Sequence, residues 1–267
     1  MDLAMRSVLS RLFCSCLVLW APLRAQLPVC PGSPAASEVN LGVNAYKAAQ
    51  YAKAADHLQA ATQVDPSCSN AWLYLGNAYM QQVVPGAESP DNQALVDKAL
   101  EQYQKVLDQQ PENQQAMGSI ALLFFNQKRL DEAQVWYEKL TVVNPDNKEA
   151  YYALGVIAWR RSFPARTEAR TKLGMKLEDS GPLKDAAVRQ DLRAKYLPLV
   201  QDGIDHLNRA IEIDVEYEDA MAYLNLLYRE KADLDNTPEE YREDIAKADE
   251  WVQKSLDVKK EKVRPSQ

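Results

Sequence analysis

Small and apolar residues return along this chain at a spacing of 34. Gly42 and Gly76, Ala99 and Ala133, Tyr103 and Tyr137, and Pro111 and Pro145 are each one period apart. A period of that length marks a repeated supersecondary unit. The stretch "AxxxYxxVxxxxP" from Ala99 to Pro111 predicts a helix stopped by its proline, whose ring removes an N–H donor and collides with the preceding turn. Thr237, Pro238 and Glu240 form a capping box with proline at the first helical position, so a last helix opens there. "PGAESP" within 83–93 predicts a surface loop. Gly174 and "SGP" at Ser180 to Pro182 break a second irregular stretch, leaving helical pieces near 164–173 and 183–196.

"WLYLGNAY" at Trp72 to Tyr79 carries the W-x2-L-G-x2-Y signature, so the chain resembles the tetratricopeptide repeat family. The resemblance implies an all-α superhelical solenoid in which each repeat is two antiparallel helices. It also implies small residues at repeat positions 8, 20 and 27, where helices approach closely, and a proline at 32. Counted so, five repeats start near 35, 69, 114, 148 and 218. The fourth closes with Gly203, Leu207 and Ala210, with Val215 in place of the proline. Insertions at 83–93 and 162–197 separate the two helices of the second and fourth repeats. The larger one is read as a nested helical arm in preference to a hidden sixth repeat, which would place Gln190 and Arg193 at packing positions. Residues 35–258 are thereby consumed, leaving 26–34 as a linker and 259–267 as a polar tail. No room remains for a separate catalytic domain.

The N-terminus predicts export. Arg6 and Arg11 precede an apolar run from Leu12 to Leu23, too short to span a bilayer, which needs about 20 residues. Cleavage is placed after Ala25, with Ala35 a second candidate; an uncleaved anchor or a mistaken start are the rival readings. Of four cysteines, Cys30 and Cys68 lie outside this segment, and an even pair in an exported chain predicts a disulfide. A lipid-modified Cys30 is disfavoured, because "LPVC" has Val29 where a small residue is required.

The whole chain has net charge −7, which argues against binding nucleic acid or anionic membrane through its whole surface. "GVIAWRRSFPARTEARTKLGMK" departs from that balance, with Arg160, Arg161, Arg166, Arg170, Lys172 and Lys176 against Glu168 alone. Such a basic arm either docks on the acidic body of its own solenoid or recruits an anionic partner. Its tether at both ends favours internal docking.

Candidate chemistry is sparse. His57 and His206 share repeat position 23, far apart along a solenoid, and no phosphate loop, nucleophile elbow or His-Glu-x-x-His occurs. Neither a metal nor another cofactor is expected. Trp72, Trp136 and Trp251 fall near packing positions. The resemblance implies a concave groove lined by the first helices. Carried over by repeat position, it contains Val39, Val43 and Tyr46; Leu73, Asn77 and Met80; Leu122, Phe125 and Asn126; Tyr152, Val156 and Trp159; Leu226 and Arg229. Position 5 holds Val39, Leu73, Gly118, Tyr152 and Ala222, so the lysine of the family's terminal-carboxylate clamp is absent.

The expected function is a non-enzymatic protein-interaction scaffold of the bacterial cell envelope, binding a protein segment through the groove, the arm or both. It is similar in this to exported bacterial members of the family. An assembly factor for outer-membrane or pilus components is a narrower alternative, and an enzyme with its site in the insertion is an alternative of another class.

Overall fold

The computed structural model describes residue 30, residues 32–176 and residues 179–263. Among them it contains ten helices and no strand. The export segment expected at 1–25 lies outside the described residues. The helices pair as five antiparallel hairpins: α1 (Ala36–Lys47) with α2 (Tyr51–Val64), and α3 (Ser69–Met80) with α4 (Pro90–Gln109). They continue with α5 (Gln114–Asn126) and α6 (Leu130–Val143), α7 (Lys148–Lys172) and α8 (Ala186–Ile213), and α9 (Glu218–Asp233) and α10 (Pro238–Val263). First helices touch one another from hairpin to hairpin, α1 with α3, α3 with α5 and α7 with α9, so they form the inner layer.

The periodic residues explain the packing. A Cβ on Gly76 would lie 2.6 Å from the ring of Tyr103, so only glycine lets α3 and α4 close on that ring. Tyr103 is fully buried and donates its hydroxyl to Asn77 Oδ1 at 2.8 Å, satisfying the one polar atom it carries inward. The second helices of the first four hairpins end alike. Their C-caps Asp65, Gln110, Asn144 and Asp214 have φ between −141° and −136° and ψ between 80° and 99°. Prolines at 66, 111 and 145 enforce that extended conformation on the preceding residue. Asp214 adopts it before Val215, so the packing of the hairpins reproduces the stop without the ring.

Three of the hairpins have a residue with positive φ where the first helix ends. Ala49 (56°) and Lys128 (60°) occupy the same place in repeats one and three, and Gly174 (64°) ends α7. In each, an amide reaches back across the turn: Gln50 N–H to Ala45 O, Arg129 N–H to Phe124 O and Met175 N–H to Arg170 O. The loop expected at 83–93 is shorter than the pattern suggested, because α4 already begins at Pro90 behind the cap Ser89. Buried Asn92 holds that loop, accepting from Val84 N–H at 2.7 Å and donating to Val84 O and Ala87 O.

The arm is not a pair of separate helical pieces. α7 runs from repeat four through Pro164 to Lys172, and α8 runs from Ala186 through Pro198 into the repeat. A mid-helix proline forfeits one hydrogen bond and costs about 3 kcal/mol. Tertiary packing offsets it here: Ala169, Met175, Leu183 and Leu234 form a buried cluster with Leu173, Val188, Leu192, Tyr196 and Leu197 around it. The C-terminal tail is likewise shorter than expected, since α10 stays helical to Val263, with Lys262 reaching Glu216 O and Glu218. The capping box does open α10: Glu240 N–H donates to Thr237 Oγ1, and Thr237 N–H donates to the Glu240 carboxylate.

Candidate functional site

The inner layer exposes a strip of residues from successive first helices. Tyr46, Asn77, Met80, Leu122, Phe125, Asn126, Trp159, Leu226 and Arg229 are each half-buried, apolar or aromatic for the most part. Leu73, Tyr152 and Val156, expected on this surface from repeat position, are core instead, with 2%, 2% and 1% of their area exposed. Val39, at 1%, is core too. The inner layer of this solenoid closes over repeat position 5 at Val39, Leu73 and Tyr152 and over position 9 at Val156, so these side chains are enclosed in the core, Tyr152 packing on Tyr217 and Tyr223.

The aromatic part of the strip is held from below. Trp159 lies against Phe163 at 4.9 Å between ring centroids and edge-on to Tyr223 at 5.5 Å, and Tyr223 in turn meets Tyr152. Burial pushes the Tyr152 and Tyr223 phenols up, so both are neutral over the physiological range. Asn77, its oxygen occupied by Tyr103, is fixed in orientation. Arg229 donates to Asn225 Oδ1 at 2.8 Å and pairs with Asp249 at 2.5 Å, so its charge is spent within the last hairpin.

The basic arm divides sharply. Arg166, half-buried, pairs with Glu230 at 2.9 Å and Asp233 at 2.8 Å, and buried Arg170 pairs with Asp233 at 2.6 Å, where α7 crosses α9. Arg170 also donates to Lys176 O and Asp179 O, tying the arm's own loop. Arg193 donates to Leu234 O, Gln190 to Asn236, and Leu183 N–H to Asp233 O. Each of these bonds from the insertion to another hairpin lands on the C-terminal end of α9 or on the turn that follows it. Arg161 pairs with Asp131 and Gln134 of α6, and Lys172 with Glu168 one turn away. Arg160 and Lys176 form no ion pair with any described carboxylate. Arg160 is exposed and stacks on Phe125, its guanidinium carbon 4.2 Å from the ring centroid.

Sequence reasoning missed the acids that receive the arm. Arg166 and Arg170 are four apart on α7, and Glu230 and Asp233 three apart on α9, so each pair occupies one helix face; those complementary spacings were the available signal. Burial holds the Glu230 carboxyl up at about 7 despite Arg166 beside it. At the same turn burial raises Asp235 to about 7, helped by the neighbouring Asp244 charge. Asp244 in turn is paired with Lys231 and, at 3.3 Å, Lys247. Among the described residues no cluster of three metal-ligating side chains occurs. His57 pairs with Glu38 at 2.8 Å, while burial depresses His206, whose ring faces Tyr151.

Cys30 and Cys68 are joined in a disulfide, with Cα atoms 6.0 Å apart. The bridge fixes the segment ahead of α1 to the start of α3, and Ser33 adds a 2.5 Å hydrogen bond to Asp65.

Comparison with known proteins agrees with this architecture. Sequence models of the tetratricopeptide repeat match residues 39–84 and 88–156. No curated protein matches the chain in sequence. Among solved structures, MamA from Desulfovibrio magneticus RS-1 superposes with a TM-score of 0.57 at 15% identity, over 86% of this chain and 97% of that one. A second MamA structure gives 0.56 at 15% identity over 87% and 97%. YrrB, a tetratricopeptide protein with an unusual peptide-binding site, gives 0.51 at 14% identity over 83% and 84%. At these identities the likeness concerns the fold. Repeat signature, hairpin geometry and matched segments agree that the chain is built of tetratricopeptide repeats, which typically serve as non-enzymatic scaffolds for protein–protein contact.

Proposed function

We propose that this scaffold works in the bacterial cell envelope and binds an extended or helical protein segment along the inner face of its first helices. One observation carries the reading: Tyr46, Met80, Leu122, Phe125, Trp159 and Leu226 form a half-exposed apolar strip, while the polar contacts of the insertion go to the C-terminal end of α9 and the turn that follows it. An apolar strip of that length on a scaffold marks an interaction surface, and each large side chain covered by a partner contributes about 1.5–3 kcal/mol when burial is complete. Export is supported by Arg6 and Arg11 ahead of Leu12–Leu23, and by a disulfide, a bond that persists in oxidising compartments.

Two experiments test the reading. Fractionation of producing cells, with N-terminal sequencing, should place the chain outside the cytoplasm with residues 1–25 removed; a cytoplasmic, full-length product refutes export. Affinity capture from an envelope extract, comparing the intact chain with Phe125→Ala and Leu122→Ala, should yield a partner that both substitutions lose. Capture unaffected by either substitution refutes the groove.

A further inference from the structure

Of the cations that make 160–195 basic, most are already neutralised inside the molecule. Arg166 and Arg170 are closed by Glu230 and Asp233, Arg161 by Asp131, and Lys172 by Glu168. Arg160 differs. It is exposed and has no described carboxylate within ion-pair distance, and its guanidinium lies on the face of Phe125, a strip residue of the neighbouring repeat. Its charge acts on the phenols of Tyr137, Tyr152 and Tyr223, all kept neutral by burial. The cation–π contact holds the guanidinium over the ring, and a guanidinium carries five N–H donors and no acceptor.

We infer that Arg160 recognises an acidic side chain, Asp or Glu, within the bound segment, and that apolar residues on both sides of that acid lie along the strip. The inference rests on the groove reading above and names the chemistry of its ligand. Charge complementarity carries it: an unpaired guanidinium offers several fixed donors and no acceptor, and a carboxylate is the group that matches them two at a time. The carboxylate belongs in mid-segment because the apolar surface continues past Arg160 in both directions. Leu122 and Phe125 belong to the repeat before it and Leu226 to the repeat after it. A chain-terminal carboxylate at Arg160 would leave one of those halves uncovered.

The test pans a displayed library of random short peptides against the purified chain, then measures affinities of the selected peptides by fluorescence anisotropy. Selected sequences should carry Asp or Glu flanked by apolar residues. Arg160→Gln, whose fold is checked by circular dichroism, should weaken them about ten-fold or more, the loss of one charge-assisted contact. Changing the peptide's acid to its amide should cost the same against the unaltered chain and nothing further against Arg160→Gln. Binding should also fall as salt rises. Selected peptides that lack an acid, or that ignore Arg160→Gln while still losing affinity to Phe125→Ala, overturn the inference and leave the groove reading standing. Failure to select any peptide sensitive to Phe125→Ala overturns both.

Discussion

Arg170 of α7 and Asp233 of α9 meet at 2.6 Å, both buried, and so join the fourth repeat's extension to the fifth repeat. The contact explains why an acidic chain turns basic at one place. Removing one partner of a buried pair leaves an uncompensated charge and costs about 3–5 kcal/mol. Arg170→Ala should therefore raise hydrogen exchange through 179–197 and lower the unfolding midpoint, while α1–α4 keep their protection. Lys172→Ala, which loses only the exposed pair with Glu168, should leave both measurements unchanged.

The buried acids of the same junction give a pH dependence. Glu230 and Asp235 have folded-state values raised to about 7, so between the ordinary carboxylate range and pH 7 the folded chain holds protons that the unfolded chain has released. Stability falls as pH rises through that window and levels off above it. Urea unfolding at pH 5 and pH 8 should show the decline, and Glu230→Gln should make it smaller. An equal decline in the variant would place the effect elsewhere.

Reducing the Cys30–Cys68 bridge releases a loop with a sequence separation of 38. Loop-closure entropy puts its contribution at about 3–4 kcal/mol. In a solenoid each unit contacts only its neighbours, so the loss should appear first as faster exchange in α1 and α2. Cys68→Ser should reproduce it, measured beside reduced and oxidised samples of the unaltered chain.

Phe125 and Ala133 should separate binding from folding. Phe125 is half-buried on the strip, whereas Ala133 is completely buried in the core shared by repeats two to four. Ala133→Leu should destabilise by about 1–3 kcal/mol through overpacking. Phe125→Ala should cost less stability and abolish capture of the partner. Thermal unfolding of both variants, read beside the capture assay, checks the pair; if Phe125→Ala unfolds the protein, its ring is core.

The repeats were legible because their signals are local and recur. A glycine beneath Tyr103, a proline after each of three second helices and a capping box at Thr237 act within a few residues or one hairpin, and the period of 34 multiplies them. The bridge was legible for the same reason, since adjacent first helices bring Cys30 and Cys68 to one edge. The strip was only partly legible. Repeat position identified Phe125, Trp159 and Leu226, but whether positions 5 and 9 face outward depends on how closely neighbouring first helices approach, and Leu73, Tyr152 and Val156 proved buried.

By itself, then, the chain's order of residues determined its family, the number of its hairpins and the presence of a basic insertion. Tertiary structure decided what the insertion does. α7 and α8 run through Pro164 and Pro198 because long-range contacts hold the extension in place, from Arg166 and Arg170 of α7 to Asp233 and from Gln190 and Arg193 of α8 to Asn236 and Leu234. The same long-range pairing used up the charges of Arg166 and Arg170 and left Arg160 without a carboxylate. Which cation of a basic run stays free is set by what the fold brings opposite each one, and no property of the run itself encodes that.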